Sequence, residues 1–205
     1  MKFKGIGFDY GGVIAGQPST IFVKKISKLL SISTDQFHVS YFRFNELWNK
    51  HSISMEDSWK IILKDLKKEN RIDEVLEFIK HQPKNKINLK MLNLVDHLRD
   101  KGYKVGLFSN FTKQAANEMR KIGIDKHFHV FLVSAEIGVM KPDVKAFKIF
   151  AQKIGIMPSE LIYIDDTEKS LSSSKEVGFH PILFKNYNSL IKELVSLDIL
   201  DKSNI

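Results

Sequence analysis

The stretch Phe3-Lys4-Gly5-Ile6-Gly7-Phe8-Asp9 combines a short, mostly apolar run with a carboxylate at its end. Further short runs, rich in β-branched or aromatic residues, follow along the chain. They are residues 103–108, 128–133, 161–164 and 180–184. Several of them have polar residues only at their ends, which is typical of strands buried on both faces.

Amphipathic segments alternate with these runs. Residues 89–99 place leucines at helical spacing and end before Gly102, and residues 144–154 repeat the pattern between Pro142 and Gly155. Strands that alternate with helices predict an α/β fold with a parallel sheet.

Residues 17–85 have a different pattern, with several helix-like segments and no convincing strand. A helical block that follows the first strand is best interpreted as a separate inserted lobe. We therefore predict two units: residues 1–16 and 86–205 form the α/β core, and residues 17–85 form a small α-helical lobe.

The composition is that of an ordinary soluble globular protein, with 43% hydrophobic and 27% charged residues among 205. The absence of cysteine excludes disulfides, thiolate metal sites and a cysteine nucleophile. No apolar run approaches the roughly 18–20 residues of a membrane span, and the start shows no signal-peptide pattern. We expect a cytoplasmic protein with no membrane partner.

The chain is basic, since 32 lysines and arginines against 24 acidic residues give a net charge of +8. A basic surface can attract nucleic acid or small anionic substrates. The lysines are scattered, however, and the densest cluster, residues 64–71, is interrupted by Asp65 and Glu69. We interpret this cluster as a solvated helix face and expect no nucleic-acid partner.

Polar residues lie at the carboxyl ends of three predicted strands, where the ligand crevice of an open parallel sheet is found. They are Asp9, Ser109-Asn110 and Asp165-Asp166, and Lys141 lies in a loop just before a helix. Carboxylates bind Mg²⁺ through oxygen, while a hydroxyl, an ammonium and helix N-termini hold phosphate. A carboxylate can also attack phosphorus. Each feature alone is common, since an Asp pair is often a cap or a turn, but their joint order predicts a metal- and phosphate-binding site.

Four segments resemble, in order, the four motifs of the haloacid dehalogenase (HAD) superfamily of hydrolases. They are Phe8-Asp9-Tyr10-Gly11-Gly12-Val13-Ile14, Leu107-Phe108-Ser109-Asn110, Ile137-Gly138-Val139-Met140-Lys141-Pro142-Asp143 and Tyr163-Ile164-Asp165-Asp166. The likeness extends to about Phe184 and includes Gly178, where the family also has glycine. It implies a Rossmann-like core, with the helical insert as a C1-type cap that closes over the site and excludes water.

The resemblance also implies a role for each matching residue. Asp9 would attack the phosphoryl group and ligate Mg²⁺. Ser109 and the amide of Asn110 would bind phosphate oxygens, with Gly12 as a further phosphate contact. Lys141 would neutralise the charge that develops between nucleophile and phosphate.

The implied metal ligands are Asp9, the backbone carbonyl of Gly11, Asp165 and Asp166. Asp166 would ligate Mg²⁺ most directly, and Asp165 would support either the metal or Lys141. The expected substrate is a small phosphorylated metabolite, and the expected oligomeric state is a monomer or a homodimer.

Gly11 departs from the family pattern, because phosphatases of the family usually carry there an aspartate that serves as general acid and base. Three interpretations remain open. Asp-Tyr-Gly-Gly resembles the Asp-x-Gly-Asn of a subgroup that hydrolyses sugar phosphates, including glucose 1-phosphate. Haloacid dehalogenases also lack the second aspartate, although they need no metal. The third interpretation is a catalytically weak or inactive protein with a binding or regulatory role.

Overall fold

The computed structural model describes residues 2–16, 20–51, 53–81 and 86–201. Within these ranges five parallel strands form one sheet: β1 (Gly5–Phe8), β2 (Lys104–Ser109), β3 (Val130–Val133), β4 (Leu161–Asp165) and β5 (His180–Leu183). Their order in the sheet is β3-β2-β1-β4-β5. Each of the five predicted strands is present, and the predicted α/β class with a parallel sheet is confirmed.

Helices connect the strands and cover both faces of the sheet. They are α1 (Thr20–Leu30), α2 (Thr34–His51), α3 (Met55–Asp65), α4 (Ile72–Lys80), α5 (Leu89–Asp100), α6 (Lys113–Lys121), α7 (Ser134–Ile137), α8 (Val144–Ile154), α9 (Glu168–Leu171), α10 (Ser174–Val177) and α11 (Tyr187–Ser196). Short 3₁₀ helices lie at Glu69–Arg71, Ile124–His127 and Pro158–Glu160. Across the described ranges, none of the helices combines the length and the apolar character that crossing a bilayer requires.

Side chains alternate between the two faces of the sheet, because successive residues of a strand point in opposite directions. On β1, Ile6 and Phe8 belong to the larger hydrophobic cluster, which includes buried residues of α5 and α11. The opposite face of the sheet packs on α8, and its cluster includes Phe108 and Tyr163. Gly5 and Gly7 of β1 lie on this second face, where a Cβ atom would meet large side chains.

Side-chain caps determine where two helices begin beside the carboxyl ends of the strands. Thr112 Oγ1 accepts a hydrogen bond from the N–H of Ala115 (3.1 Å) at the start of α6. Asp143 Oδ1 accepts one from the N–H of Lys145 (2.8 Å) at the start of α8. Such caps satisfy N–H groups that have no partner within the helix, so the loops after β2 and before α8 have defined ends.

Helices α1–α4, called here the helical insert, lie between β1 and α5 and have an apolar cluster of their own. Its buried members are Ile26, Leu30, Phe37, Trp59, Ile62, Leu63 and Val75. The two connections to the core run side by side, because the N–H of Gly16 donates to Lys86 O (3.1 Å) and that of Asn88 donates to Ile14 O (2.8 Å). The limits 17–85 stay a prediction, since residues 17–19 and 82–85 lie outside the described residues.

Candidate active site

The topology of the sheet brings Asp9 and Asp165 together. The chain adds β2 and then β3 on one side of β1, and afterwards adds β4 and β5 on the other side. The crevice of such a sheet opens where this order reverses, at the carboxyl ends of the strands. Asp9 directly follows β1 and Asp165 ends β4, the neighbouring strand.

Asp9 is buried, with 9% of its surface exposed. Its Oδ1 accepts a hydrogen bond from Ser109 Oγ at 2.6 Å and lies 2.9 Å from Lys141 Nζ. Burial raises the pKa of the Asp9 carboxyl, and the charge of Lys141 and the hydroxyl of Ser109 oppose that rise. The three residues that the sequence predicts to be catalytic therefore meet at one carboxylate oxygen.

Lys141 is almost fully buried, with 2% exposed, and its ammonium lies between two carboxylates. Nζ donates to Asp165 Oδ2 at 2.5 Å as well as contacting Asp9. Burial alone would lower the pKa of Lys141, but the nearby carboxylates outweigh it and raise the pKa well above its usual value. The side chain is therefore a permanent cation at any physiological pH.

The side chain of Asn110 holds the backbone of Lys141 in place. Asn110 Nδ2 donates to Lys141 O, and the N–H of Lys141 donates to Asn110 Oδ1, both at 2.9 Å. This paired contact joins the loop after β2 to the loop before α8. The sequence also predicts that Asn110 contacts phosphate, and this contact stays a prediction.

Asp165 is fully buried, and both of its carboxylate oxygens are engaged. Oδ2 contacts Lys141, while Oδ1 accepts hydrogen bonds from the N–H (2.9 Å) and the hydroxyl (2.7 Å) of Thr167. A carboxylate that binds the backbone two residues on is a local turn that aspartate favours. Asp165 thus contacts Lys141, and both roles expected for it, toward the metal and toward Lys141, stay predictions.

Three carboxylates form an acidic cluster that fits a divalent cation. Ligand oxygens of Asp9, Asp165 and Asp166 all lie within 4.8 Å of one another. Their negative charges favour a divalent cation, which would reduce the repulsion among them. An all-oxygen set of this kind suits Mg²⁺ better than a transition metal.

The two glycines after Asp9 have different surroundings. Gly12 has a φ of +75°, and a Cβ atom there would lie 2.1 Å from Asp166 Oδ2, so the first and fourth motifs touch at this point. The N–H of Gly12 donates to Ala15 O (2.7 Å) within its own loop. A Cβ atom at Gly11 would lie 3.9 Å from the nearest atom, in the ring of Phe111. The predicted roles of Gly11 and Gly12 toward metal and phosphate stay predictions.

Sequence reasoning missed three residues around Lys141 and Asp165. Thr167 binds Asp165, and the rings of Phe108 and Tyr163 lie beneath the Lys141 ammonium, with Nζ 5.8 Å and 5.2 Å from their centroids. Thr167 has a local signal, since it follows an aspartate by two residues. For Tyr163 the sequence signal is less direct, because it is the small size of Gly7, which pairs with Tyr163 on β1.

Comparison with known proteins gives matches along most of the chain. The family described as haloacid dehalogenase-like hydrolase matches residues 8–184. A mouse protein, acyl-CoA dehydrogenase family member 10, is 23% identical over an alignment of 206 positions that covers 96% of this chain and 19% of that protein. Glyceraldehyde 3-phosphate phosphatase of Methanopyrus kandleri is 32% identical over 83 residues, 40% of this chain and 36% of that protein. The chain thus spans well under half the length of either relative.

A solved structure also resembles the chain over nearly its whole length. It is a HAD family enzyme from Bacteroides thetaiotaomicron, in complex with magnesium and inorganic phosphate. The TM-score is 0.69 at 22% identity, and the match covers 92% of this chain and 98% of the other. At this identity the likeness shows a shared fold.

Proposed function

Because the chain belongs to the haloacid dehalogenase-like hydrolase family, we propose that it is a Mg²⁺-dependent phosphatase of small phosphorylated metabolites, with Asp9 as nucleophile. One observation carries this proposal. A single buried oxygen, Asp9 Oδ1, contacts both Ser109 Oγ at 2.6 Å and Lys141 Nζ at 2.9 Å. A hydroxyl and an ammonium thus orient the carboxylate beside two further acidic residues, and a carboxylate held in this way can act as the nucleophile toward phosphorus.

Two of the similar proteins support a phosphate ester as substrate. The relative from Methanopyrus kandleri is named a phosphatase, and the enzyme from Bacteroides thetaiotaomicron holds magnesium together with inorganic phosphate. The acidic cluster of Asp9, Asp165 and Asp166 supports the same metal in this chain.

The proposed reaction has two steps. A carboxylate oxygen of Asp9 bonds to phosphorus while the bond from phosphorus to the leaving oxygen breaks. This gives an aspartyl phosphate and the leaving group as an anion, which takes a proton from solvent when it is an alkoxide and stays ionised when it is a carboxylate. Water then attacks that phosphorus, releases inorganic phosphate and restores the carboxylate.

The neighbouring groups bind and neutralise the phosphoryl group. Ser109 and the N–H of Asn110 bind its oxygens, and Lys141 balances the developing negative charge. Asp9, Asp166 and the carbonyl of Gly11 would hold Mg²⁺, while Asp165 keeps Lys141 in place. When bound, the metal supplies further positive charge to the phosphate oxygens.

The proposed substrate class follows from Gly11, which cannot transfer a proton. A positioned acid is typically worth ~10²–10⁴-fold in rate, so its loss matters least when the leaving group is stable as an anion. Anomeric and acyl phosphates have such leaving groups. We therefore place sugar 1-phosphates and acyl phosphates ahead of simple alkyl phosphates.

The first test measures phosphate release from a panel of sugar, nucleotide and acyl phosphates, with Mg²⁺ and with EDTA. Turnover that needs the metal and is lost in Asp9→Asn is the expected result. Phosphate binding without turnover would instead indicate a binding protein, and halide release from haloacids in EDTA would indicate a dehalogenase.

The second test compares two esters of one sugar, glucose 1-phosphate and glucose 6-phosphate. The 1-phosphate should be hydrolysed faster by the wild type, and equal rates would refute the leaving-group argument. A Gly11→Asp variant should raise the rate on the 6-phosphate at least ~10-fold and change that on the 1-phosphate far less. The backbone at position 11 admits a side chain, since the nearest atom to an added Cβ lies 3.9 Å away.

A further inference from the structure

The surroundings of the Lys141 ammonium are divided between carboxylates and aromatic rings. An ammonium has three N–H donors, and two short contacts go to Asp9 Oδ1 (2.9 Å) and Asp165 Oδ2 (2.5 Å). The rings of Tyr163 and Phe108 lie on its other side, with centroids 5.2 Å and 5.8 Å from Nζ. Both distances are within the ~6 Å at which a cation is attracted to the face of a ring.

Tyr163 is itself held firmly in place. It is fully buried, and its hydroxyl donates a hydrogen bond to the backbone carbonyl of Phe108, the residue before Ser109. Tyr163 lies on β4 and Phe108 on β2, so the side chain reaches across the central strand β1. Its ring packs edge-to-face against Phe147, with centroids 5.0 Å apart.

A glycine on β1 makes this reach possible. Gly7 pairs with Tyr163 in the register of the sheet. A Cβ atom on Gly7 would lie 2.5 Å from Tyr163 Cδ2, which is closer than real Cβ atoms approach other atoms. The absence of a side chain at Gly7 therefore leaves the space in which the tyrosine ring lies. Gly7 precedes Asp9 by two residues, so both residues point to the same side of the extended chain.

We propose that Tyr163 is a positioning residue for the reaction, whose ring holds the Lys141 ammonium against Asp9 and whose hydroxyl fixes that ring to the strand that ends at Ser109. This inference rests on the proposed phosphatase function. It adds a residue that touches neither substrate nor metal and acts through Lys141. The ring faces the ammonium, and the hydroxyl also interacts with the Lys141 side chain. An aromatic residue without the hydroxyl at position 163 should therefore keep only part of the effect.

The kinetic test compares Tyr163→Phe and Tyr163→Leu with a matched control, Phe147→Leu. Phe147 is fully buried in the same cluster and packs on Tyr163. Tyr163→Leu should lower kcat at least ~10-fold with KM changed less than ~3-fold. Tyr163→Phe should lower kcat by less than Tyr163→Leu does, and Phe147→Leu should stay within ~3-fold of wild type. A loss of kcat in Phe147→Leu as large as that in Tyr163→Leu would reduce Tyr163 to a packing role and overturn the proposal. An equal loss in Tyr163→Phe would assign the whole effect to the hydroxyl and overturn the role proposed for the ring.

A second measurement separates this inference from the proposed function, because it needs no turnover. The melting temperature in EDTA is measured for Lys141→Met, Tyr163→Leu and the double variant, and the same cycle is run with Phe147→Leu. Lys141→Met should lower the melting temperature less in the Tyr163→Leu background than in the wild type. In the control cycle, the decreases caused by Lys141→Met and by Phe147→Leu should add. Additive decreases in melting temperature for Tyr163→Leu and Lys141→Met would refute the stabilising contact between the two side chains. This result would hold even if the protein hydrolysed none of the phosphate esters tested.

Discussion

Asp9 combines reactivity with a cost in stability. Its carboxylate is buried, and it lies near the carboxylates of Asp165 and Asp166. Burial raises the pKa of the Asp9 carboxyl, which means that the fold disfavours its charged form. A carboxylate nucleophile has to be charged, so the charged form of Asp9 that the proposed reaction needs lowers the free energy of unfolding of the protein.

The sign of this effect predicts that Asp9→Asn stabilises the metal-free protein. Asp9 in the unfolded chain ionises near pH ~4, while the folded protein keeps the proton to higher pH, so wild-type stability falls as pH rises through the folded pKa. Asparagine does not titrate, and Lys141 keeps Asp165 as its partner. Thermal melts in EDTA should show Asp9→Asn level with wild type near pH 4 and higher by ~2–4 °C at neutral pH, about 1 kcal/mol for a chain of this size. A gap that does not grow with pH would contradict this reasoning.

Gly11 and Gly12 provide a matched pair of single-methyl changes. A methyl group at Gly12 meets Asp166 Oδ2 at 2.1 Å on a backbone with φ +75°, whereas one at Gly11 meets nothing closer than 3.9 Å. We expect Gly12→Ala to cost about 1–3 kcal/mol and to abolish the rise in melting temperature produced by Mg²⁺. Gly11→Ala should stay within about 0.5 kcal/mol of wild type and keep the metal effect. Equal behaviour of the two variants would show that Gly12 does not shape the acidic cluster.

Among the elements, the strands could be predicted from sequence because parallel strands buried on both faces are continuous apolar runs. Residues 144–154 were predicted as a helix, and α8 has these same limits, because Pro142 and Gly155 mark its ends. The contacts of Tyr163 and Asn110 could not be predicted, since each joins elements that are far apart in sequence. Whether Asp165 faces the metal or Lys141 depends on distances that no spacing along the chain contains.

Glycines opposite large side chains determine how closely α8 approaches the sheet. A Cβ atom at Gly106 would lie 2.7 Å from Phe150 Cζ and 3.0 Å from Ile154 Cδ1. Gly106→Ala should therefore cost about 1–3 kcal/mol through overpacking. Phe150→Leu should relieve the clash, so that denaturant unfolding of the double variant gives a smaller loss than the sum of the single losses. Phe128→Leu serves as control, since Phe128 lies in the cluster on the other face. The stability losses of Phe128→Leu and Gly106→Ala should add. If the losses of Phe150→Leu and Gly106→Ala also add, the predicted clash is contradicted.

At the scale of the whole molecule, the helical insert and the core meet through a buried contact that the sequence did not indicate. Ser134, at the start of α7, is fully buried, and its hydroxyl donates to the backbone carbonyl of Asn49 in α2 at 2.7 Å. Ser134 follows β3, so the contact joins the insert to the carboxyl edge of the sheet, where Asp9 lies. A movement of this part of α2 away from α7 would break this hydrogen bond.

Removal of this hydroxyl should therefore loosen the insert without damaging either unit. Ser134→Ala should speed hydrogen exchange of the amides of α2 and α7 about fivefold, which corresponds to the ~1 kcal/mol of one buried hydrogen bond. If the insert acts as the predicted cap, the variant should also raise KM for the best substrate more than it lowers kcat, because a cap that closes less often binds substrate less well. Ser40→Ala is the matched control, since Ser40 is equally buried and its hydroxyl contacts Ile62 O at 3.5 Å within the insert. If both variants change exchange and KM alike, the Ser134 contact has no special part in holding the insert against the core.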